Sequence, residues 1–108
     1  SVIIGGSMET GSYLLLGTKR AQDLTFGSTC HGSGRRMSRA KARKQVQGRT
    51  LQEEMEKRGI YVKSASYSGL AEEAGFAYKD INDVVKSVEA AGISKAVVGL
   101  KPIGNIKG

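Results

Sequence analysis

The chain has 108 residues, of which 39% are hydrophobic and 25% charged, and a net charge of +7 at pH 7, so it forms one domain at most. Its single Cys excludes an internal disulfide, and one Cys with one His cannot form a metal cage from protein ligands alone. No apolar run is long enough to cross a membrane and no signal-peptide pattern opens the chain, so we expect a cytoplasmic protein without a membrane partner.

Apolar runs and turn residues predict short strands and helices along the whole chain. In chain order, the predicted elements are strands at 1–4 and 12–16, a helix at 18–24, a loop at 26–34, helices at about 38–47 and 51–58, a strand at 60–63, helices at 69–74 and 81–91, a strand at 96–100 and an edge strand at 103–106. Because strands and helices alternate without a regular βαβ spacing, we predict an α+β fold.

Polar residues mark where several helices are expected to begin. Ser38, Ser68 and Asp80 are suited to be N-caps, and Thr50-Leu-Gln-Glu53 matches a capping box. The helix after Asp80 has the clearest amphipathic pattern, so we expect it to pack on the core.

The positive charge is concentrated in one segment. Seven cations and no carboxylate lie between Arg35 and Arg49, whereas the rest of the chain carries as many acidic as basic residues. Such a patch attracts RNA or DNA phosphate by counterion release, and the alternative is a solvated helix face.

The only Cys and the only His lie at the start of this basic segment, in a glycine loop. A neutral imidazole can attack phosphorus, glycines allow backbone N–H groups to approach phosphate, and arginines stabilise the developing charge. His31 therefore indicates phosphoryl or nucleotidyl transfer, and the alternative is a surface histidine without a role. A second loop, 5–12, has three glycines and three hydroxyl side chains, which suits a phosphate or a base edge and also an ordinary turn.

Several blocks resemble the C-terminal part of the RtcB family of RNA-splicing ligases, and its archaeal members in particular. The blocks are Gly6-Ser-Met8, Ser12-Tyr13, Phe26-Gly-Ser-Thr-Cys-His-Gly-Ser-Gly-Arg35, Met37-Ser-Arg39, Ala77-Tyr-Lys-Asp80, Pro102-Ile-Gly104 and Ile106-Lys-Gly108. The match covers essentially the whole chain, so we expect residues 1–108 to be the C-terminal portion of a larger ligase domain, incomplete alone. The chain lacks an initiator Met, and a fragment, a split gene and an intein junction all stay open as its origin.

The resemblance implies a GTP- and Mn²⁺-dependent ligase. Such enzymes join RNA ends that carry a 2′,3′-cyclic phosphate or 3′-phosphate to 5′-hydroxyl ends, as in tRNA splicing and RNA repair. His31 would become guanylylated and pass the guanylyl group to the RNA. The manganese ligands are expected upstream, in the remaining N-terminal part of the ligase, with none in this chain.

The resemblance also assigns residues to the ligands. Those expected at the nucleotide are Gly5, Gly6, Ser7, Met8, Ser12, Gly32, Ser33, Gly34, Tyr78 and Lys107, and those expected at RNA or phosphate are Arg35 and Arg39. From the residues alone, a turn role for Ser7 and Ser12, a core role for Tyr78 and a frayed terminus for Lys107 stay open.

The sequence departs from the family pattern in two places. Glu9 stands where the family usually has glycine, which is expected to put a carboxylate beside the phosphates. Gly75-Phe76 stands where a proline-containing pair is common. Two other functions are alternatives to the ligase. One is an RNA-binding fragment without activity of its own. The other is a phosphohydrolase that uses a phosphohistidine, but the sequence shows no second acid or base for it.

Overall fold

A computed structural model describes residues 1–107. Gly108, the last residue of the Ile106-Lys-Gly108 block, lies outside the described residues. The elements are β1 (Val2–Gly5), β2 (Ser12–Gly17), α1 (Lys19–Thr25), α2 (Arg39–Gln45), α3 (Gly48–Lys57), β3 (Tyr61–Ser64), α4 (Tyr67–Glu72), a 3₁₀ turn (Gly75–Ala77), α5 (Ile81–Ala90), β4 (Ser94–Leu100) and β5 (Gly104–Lys107). The predicted α+β class is confirmed.

One half of the structure is an antiparallel sheet with a helix on one face. The strand order is β1-β2-β4, and α5 covers the face that carries Ile4 and Leu15. Asp80 caps α5 as predicted, since its carboxylate accepts a hydrogen bond from the Asn82 N–H at 2.7 Å. The apolar spacing of α5 therefore buries Ile81, Val85 and Val88 against the sheet, and this prediction is confirmed.

The other half has a two-stranded sheet and its own core. β3 pairs with β5 in parallel, and α3 and α4 pack beside them. The core of this half is formed by buried apolar side chains: Met8, Leu51, Met55, Ile60, Val62, Leu70 and Ala74. The predicted edge strand at 103–106 is thus present, and its partner is β3.

Two predicted helix starts are wrong. Helix α3 begins at Gly48 rather than at Leu51, so Thr50 lies inside the helix and forms no cap. Helix α4 is capped by Ser66, whose Oγ accepts from the Gly69 N–H at 3.0 Å, and Ser68 lies within the helix. The cause is a tertiary contact, because the first turn of α3 lies directly against the first turn of α4.

Gly48 makes this contact possible. A Cβ atom there would lie 1.9 Å from the Tyr67 carbonyl oxygen, and a backbone atom cannot move aside cheaply. We expect Gly48→Ala to lower the free energy of unfolding of the intact protein by about 3 kcal/mol. Thermal or denaturant unfolding measures this, with Gly17→Ala as the control, because no heavy atom lies within 4 Å of a Cβ at Gly17. Equal stability of the two variants would contradict the contact.

None of the helices described between residues 1 and 107 has both the length and the hydrophobicity that a membrane crossing requires.

Candidate functional site

The loop that carries His31 runs along the end of β1. The Gly5 N–H donates to the His31 carbonyl at 3.1 Å, and Gly5 and Gly32 form a parallel β-bridge. Ser33 Oγ donates to the Gly5 carbonyl at 3.2 Å, and Ser33 is buried. His31 itself is exposed, and no side chain in residues 1–107 hydrogen-bonds to its imidazole. The backbone of the loop is therefore fixed while the ring stays accessible.

The other end of the histidine loop, from Gly34 to Arg36, is held by the last residue of the 3₁₀ turn and by the segment after it. The Lys79 N–H donates to the Gly34 carbonyl at 3.0 Å, and the Arg36 N–H donates to the Ala77 carbonyl at 2.7 Å. Gly34 has a φ of +68°, a backbone conformation that favours glycine. Together with the contacts at Gly5, these bonds brace the histidine loop at both ends.

The loop between β1 and β2 is closed by its own hydroxyl groups. Ser7 Oγ lies 3.0 Å from Thr10 Oγ1 and accepts from the Glu9 N–H at 3.2 Å, so Ser7 has the turn role that the sequence left open. The Gly6 N–H donates to the Gly11 carbonyl at 2.9 Å. Ser7 and Ser12 both line a cavity of about 230 Å³, so the fold brings these two predicted nucleotide contacts together.

The Met8 side chain anchors the loop between β1 and β2. Its side chain is buried in the core of the second half, and its carbonyl accepts from Asn105 Nδ2 at 3.2 Å. The residue therefore holds the loop to the core and to β5, and its expected place along the nucleotide, through the loop backbone, stays a prediction. The sequence match drew attention to this residue but could not distinguish anchoring from ligand contact.

The Glu9 carboxylate, which the sequence places beside the phosphates, is held by groups of the protein. The carboxylate accepts from the Gly75 N–H and from Arg58 Nη1, the latter at 3.2 Å, while Arg58 Nη2 donates to the Glu9 carbonyl at 2.9 Å. Glu9 thus points toward the end of α3 and the 3₁₀ turn. Glu9 and Gly75, two positions where the sequence is expected to depart from the family pattern, are in direct contact with each other.

Glu73 joins two residues expected at the nucleotide. The Tyr78 hydroxyl donates to Glu73 Oε2, and Lys107 Nζ lies 4.0 Å from the same oxygen. Lys107 belongs to β5 and pairs with Ser64, so it is not a frayed terminal charge. Sequence reasoning missed Glu73, because nothing in the local sequence distinguishes it from the other carboxylates of the chain.

Burial raises the pKa of Tyr78 above its ordinary value of 10.0, and the hydrogen bond to Glu73 and the Glu73 charge raise it further, while Arg35 opposes them. The folded state therefore holds the phenol proton more tightly than the unfolded state. The stability linked to this proton is present below pH 10.0 and is lost as the pH rises through the folded-state pKa.

We expect Glu73→Gln to lower the pKa of Tyr78, since the carboxylate charge that opposes ionisation is removed. The measurement is the tyrosinate absorbance of the intact protein against pH, with Tyr78→Phe identifying the Tyr78 signal by subtraction. An unchanged Tyr78 titration in Glu73→Gln would show that the carboxylate does not act on the phenol.

Arg35 makes several contacts within the protein, and its expected contact with RNA or phosphate stays a prediction. Its Nε donates to the Met37 carbonyl at 3.1 Å, its Nη2 donates to the Glu72 carbonyl at 2.7 Å, and its guanidinium lies 5.0 Å from the Tyr78 ring centroid. Its Nη1 is buried and has no hydrogen-bond partner in residues 1–107. Arg35 therefore links the histidine loop to Tyr78 and to the end of α4.

Arg39 remains available to an anion. Its side chain is 62% exposed, and its Nε lies 3.8 Å from Glu72, which also pairs with Arg43. Six cations in and beside α2 are exposed to solvent: Arg36, Arg39, Lys41, Arg43, Lys44 and Arg49. Arg36 also lines a cavity of about 520 Å³ between the histidine loop and α5. The predicted cations are therefore exposed, and Arg36 lines the same cavity as Cys30, which precedes His31.

The donor set of the described chain does not fit a manganese site. Within residues 1–107, no three His, Cys, Asp or Glu side chains come close enough together to hold a metal ion. Cys30 is exposed and free, and Glu9 and Glu73 are engaged by N–H, O–H or cationic groups. No chemical step is therefore assigned to a metal bound by these residues.

Known proteins resemble this chain along nearly its whole length. The family model described as tRNA-splicing ligase RtcB matches residues 1–108. Similar proteins include the tRNA-splicing ligase RtcB of Methanopyrus kandleri, 54% identical over 99% of this chain and 11% of the relative, and that of Archaeoglobus fulgidus, 53% identical over 99% of this chain and 22% of the relative. RNA-splicing ligase RtcB homolog 2 of Entamoeba dispar is 51% identical over 98% of this chain and 20% of the relative.

The chain thus spans between 11% and 22% of the length of these relatives. Its similarity to them extends over nearly every one of its own residues, including the braced histidine loop. The chain belongs to the tRNA-splicing ligase RtcB family.

Proposed function

We propose that this chain supplies the nucleophilic histidine of a GTP- and Mn²⁺-dependent RNA ligase. The enzyme would join 2′,3′-cyclic phosphate or 3′-phosphate ends to 5′-hydroxyl ends, as in tRNA splicing and RNA repair. The observation that carries the proposal is the exposed His31 on a loop whose backbone is held at Gly5 and at Lys79. A fixed backbone with an accessible ring is the arrangement that a nucleophile needs for in-line attack.

His31 would attack the α-phosphate of GTP, forming an N–P bond as the bond to pyrophosphate breaks. The imidazole would then be released when the RNA 3′-phosphate takes the guanylyl group, and the 5′-hydroxyl would displace GMP as the new phosphodiester forms. A histidine phosphoramidate is easily broken, so one difficult step is divided into easier ones. The backbone of Gly32, Ser33 and Gly34 adjoins His31 and would line the phosphates.

Guanine would bind near Tyr78 and Lys107. Their shared contact with Glu73 supports this part of the proposal, because it brings a planar ring and a cation to one place. Ser12, which lines a cavity together with Ser7, would also contact guanine. The backbone of Gly5 and Gly6 would lie along the nucleotide.

RNA would bind the exposed cations around Arg39. Binding through such a surface weakens as salt rises, because each phosphate contact releases counterions. This surface also favours the second candidate function, an RNA-binding fragment without activity of its own. Under the ligase proposal, the remaining N-terminal part of the protein is the partner that provides the manganese ligands, and a cytoplasmic location stays a prediction.

A joining assay separates the two candidates. The intact protein would be incubated with GTP, Mn²⁺ and two RNA pieces, one ending in a 3′-phosphate and the other beginning with a 5′-hydroxyl. We expect a joined RNA that retains the phosphate of the first piece, and no joined product when the second piece begins with a 5′-phosphate. Salt-dependent RNA binding without joining would support the RNA-binding fragment instead.

A further inference from the structure

We propose that Glu9 is a positioning residue, which holds the loop at 6–11 in the shape that receives the nucleotide. It would act through Gly75 and Arg58, neither of which lines the cavity of Ser7 and Ser12. This inference rests on the proposed function of the loop.

Glu9 is held through both its side chain and its backbone. Its side chain is only 16% exposed, with one carboxylate oxygen accepting from the Gly75 N–H and the other from Arg58 Nη1 at 3.2 Å. Arg58 Nη2 also donates to the Glu9 carbonyl at 2.9 Å. The end of α3 and the 3₁₀ turn therefore both hold the same loop residue.

The bond from Gly75 is expected to matter more than the ion pair. The Arg58 side chain is 51% exposed, and ion pairs exposed to water contribute little because solvent screens them. The bond from the Gly75 N–H ends on a mostly buried carboxylate, and hydrogen bonds to an ionised acceptor are stronger than neutral ones. Loss of the carboxylate would also leave the half-buried Gly75 N–H without this partner.

Glu9 is hydrogen-bonded directly to Ser7, so holding Glu9 also restrains Ser7. The Glu9 N–H donates to Ser7 Oγ at 3.2 Å, and that oxygen lies 3.0 Å from Thr10 Oγ1. Between Ser7 and Glu9, Met8 is fixed by the core and by Asn105. Met8 and Glu9 thus anchor the two residues that follow Ser7, and the hydrogen bond from the Glu9 N–H holds the Ser7 hydroxyl against them.

Gly75 is matched to Glu9. A Cβ atom at Gly75 would lie 2.6 Å from Glu9 Oε2 and 3.2 Å from Glu9 Cδ, so any side chain there displaces the carboxylate. This predicts a specific dependence between the two positions. Gly75→Ala disturbs the loop when Glu9 is present, because the new methyl group displaces the carboxylate. In Glu9→Ala there is no carboxylate to displace.

The test measures His31 guanylylation by the intact protein against GTP concentration. We expect Glu9→Ala to raise the KM for GTP about tenfold while kcat changes less than about threefold, since the loop must be ordered on binding. Glu9→Gln keeps an acceptor for the Gly75 N–H and should recover most of the loss. Gly75→Ala should raise the KM in the otherwise unchanged protein and have a much smaller effect in Glu9→Ala, where only the 3.3 Å approach to the Cβ of residue 9 remains.

Amide hydrogen exchange supplies a readout that does not depend on activity. We expect Glu9→Ala to speed exchange of the amides at 7–11 about tenfold, and exchange in α5 to stay unchanged. If the protein without substitutions takes label normally, and Glu9→Ala has the same KM for GTP and the same exchange at 7–11, the role of Glu9 is overturned and the proposed function stands. An unchanged protein that takes no label would overturn the proposed function, and the nucleotide role of Glu9 with it.

Discussion

His31→Ala is expected to abolish guanylylation and RNA joining by the intact protein, with a loss of about 1000-fold or more. The imidazole nitrogen is the nucleophile of the proposed first step, and the backbone of His31 is held by the hydrogen bond from the Gly5 N–H. Because His31 is exposed and its imidazole makes no hydrogen bond within residues 1–107, we expect the free energy of unfolding to change by less than about 0.5 kcal/mol. Salt-dependent RNA binding should remain.

Cys30→Ala is the matched control, because Cys30 is the exposed neighbour of His31 and forms no disulfide. It should take label and join RNA at close to the unchanged rate. Label that persists in His31→Ala and is lost in Cys30→Ala would instead assign the covalent step to the thiol. Loss in both variants, with normal folding, would mean that the loop requires both side chains.

Gly6→Ala is expected to reduce guanylylation about 100-fold and to lower the free energy of unfolding by about 3 kcal/mol. A Cβ atom at Gly6 would lie 2.3 Å from the Gly11 carbonyl oxygen and 3.2 Å from the Ile81 Cβ. The Gly11 carbonyl cannot withdraw without breaking its 2.9 Å bond from the Gly6 N–H. The substitution therefore opens the loop that contains Ser7.

The control for Gly6→Ala is again Gly17→Ala, which adds a Cβ atom into open space at the end of β2. Both variants would be compared by thermal unfolding and by the initial rate of label uptake. A normal rate in Gly6→Ala, together with normal stability, would contradict the loop geometry. A normal rate with reduced stability would show that this loop does not contribute to nucleotide binding.

The features that could be predicted from sequence are those that local patterns determine. The strand at 1–4 and the helix after Asp80 follow from apolar spacing and an N-cap, and both are present. The starts of α3 and α4 could not be predicted, because they depend on the approach of Gly48 to Tyr67, two residues far apart in the chain. Ser66 and Ser68 are equally good caps by residue type, and only the packing selects Ser66.

In the candidate site, too, local patterns could be predicted from the sequence and contacts between distant segments could not. The glycine loop with its histidine was evident, because the residue types and their order carry the signal. The inward direction of Arg35 was not evident, since it depends on Tyr78 and on a carbonyl at the end of α4. The contact of Glu9 with Gly75 and the contact of Glu73 with Tyr78 likewise join separate segments. Sequence blocks therefore indicate the candidate site, and tertiary contacts determine which of its side chains are engaged within the protein.

The most direct test of the account is to locate the guanylyl group on the protein. The intact protein would be incubated with Mn²⁺ and GTP labelled at the α-phosphate, then digested and mapped by mass spectrometry. We predict one acid-labile guanylyl group, on the peptide that contains His31 and on the imidazole itself. A guanylyl group on another residue, or no label while RNA still binds in a salt-dependent way, would contradict the central claim that His31 is the nucleophile.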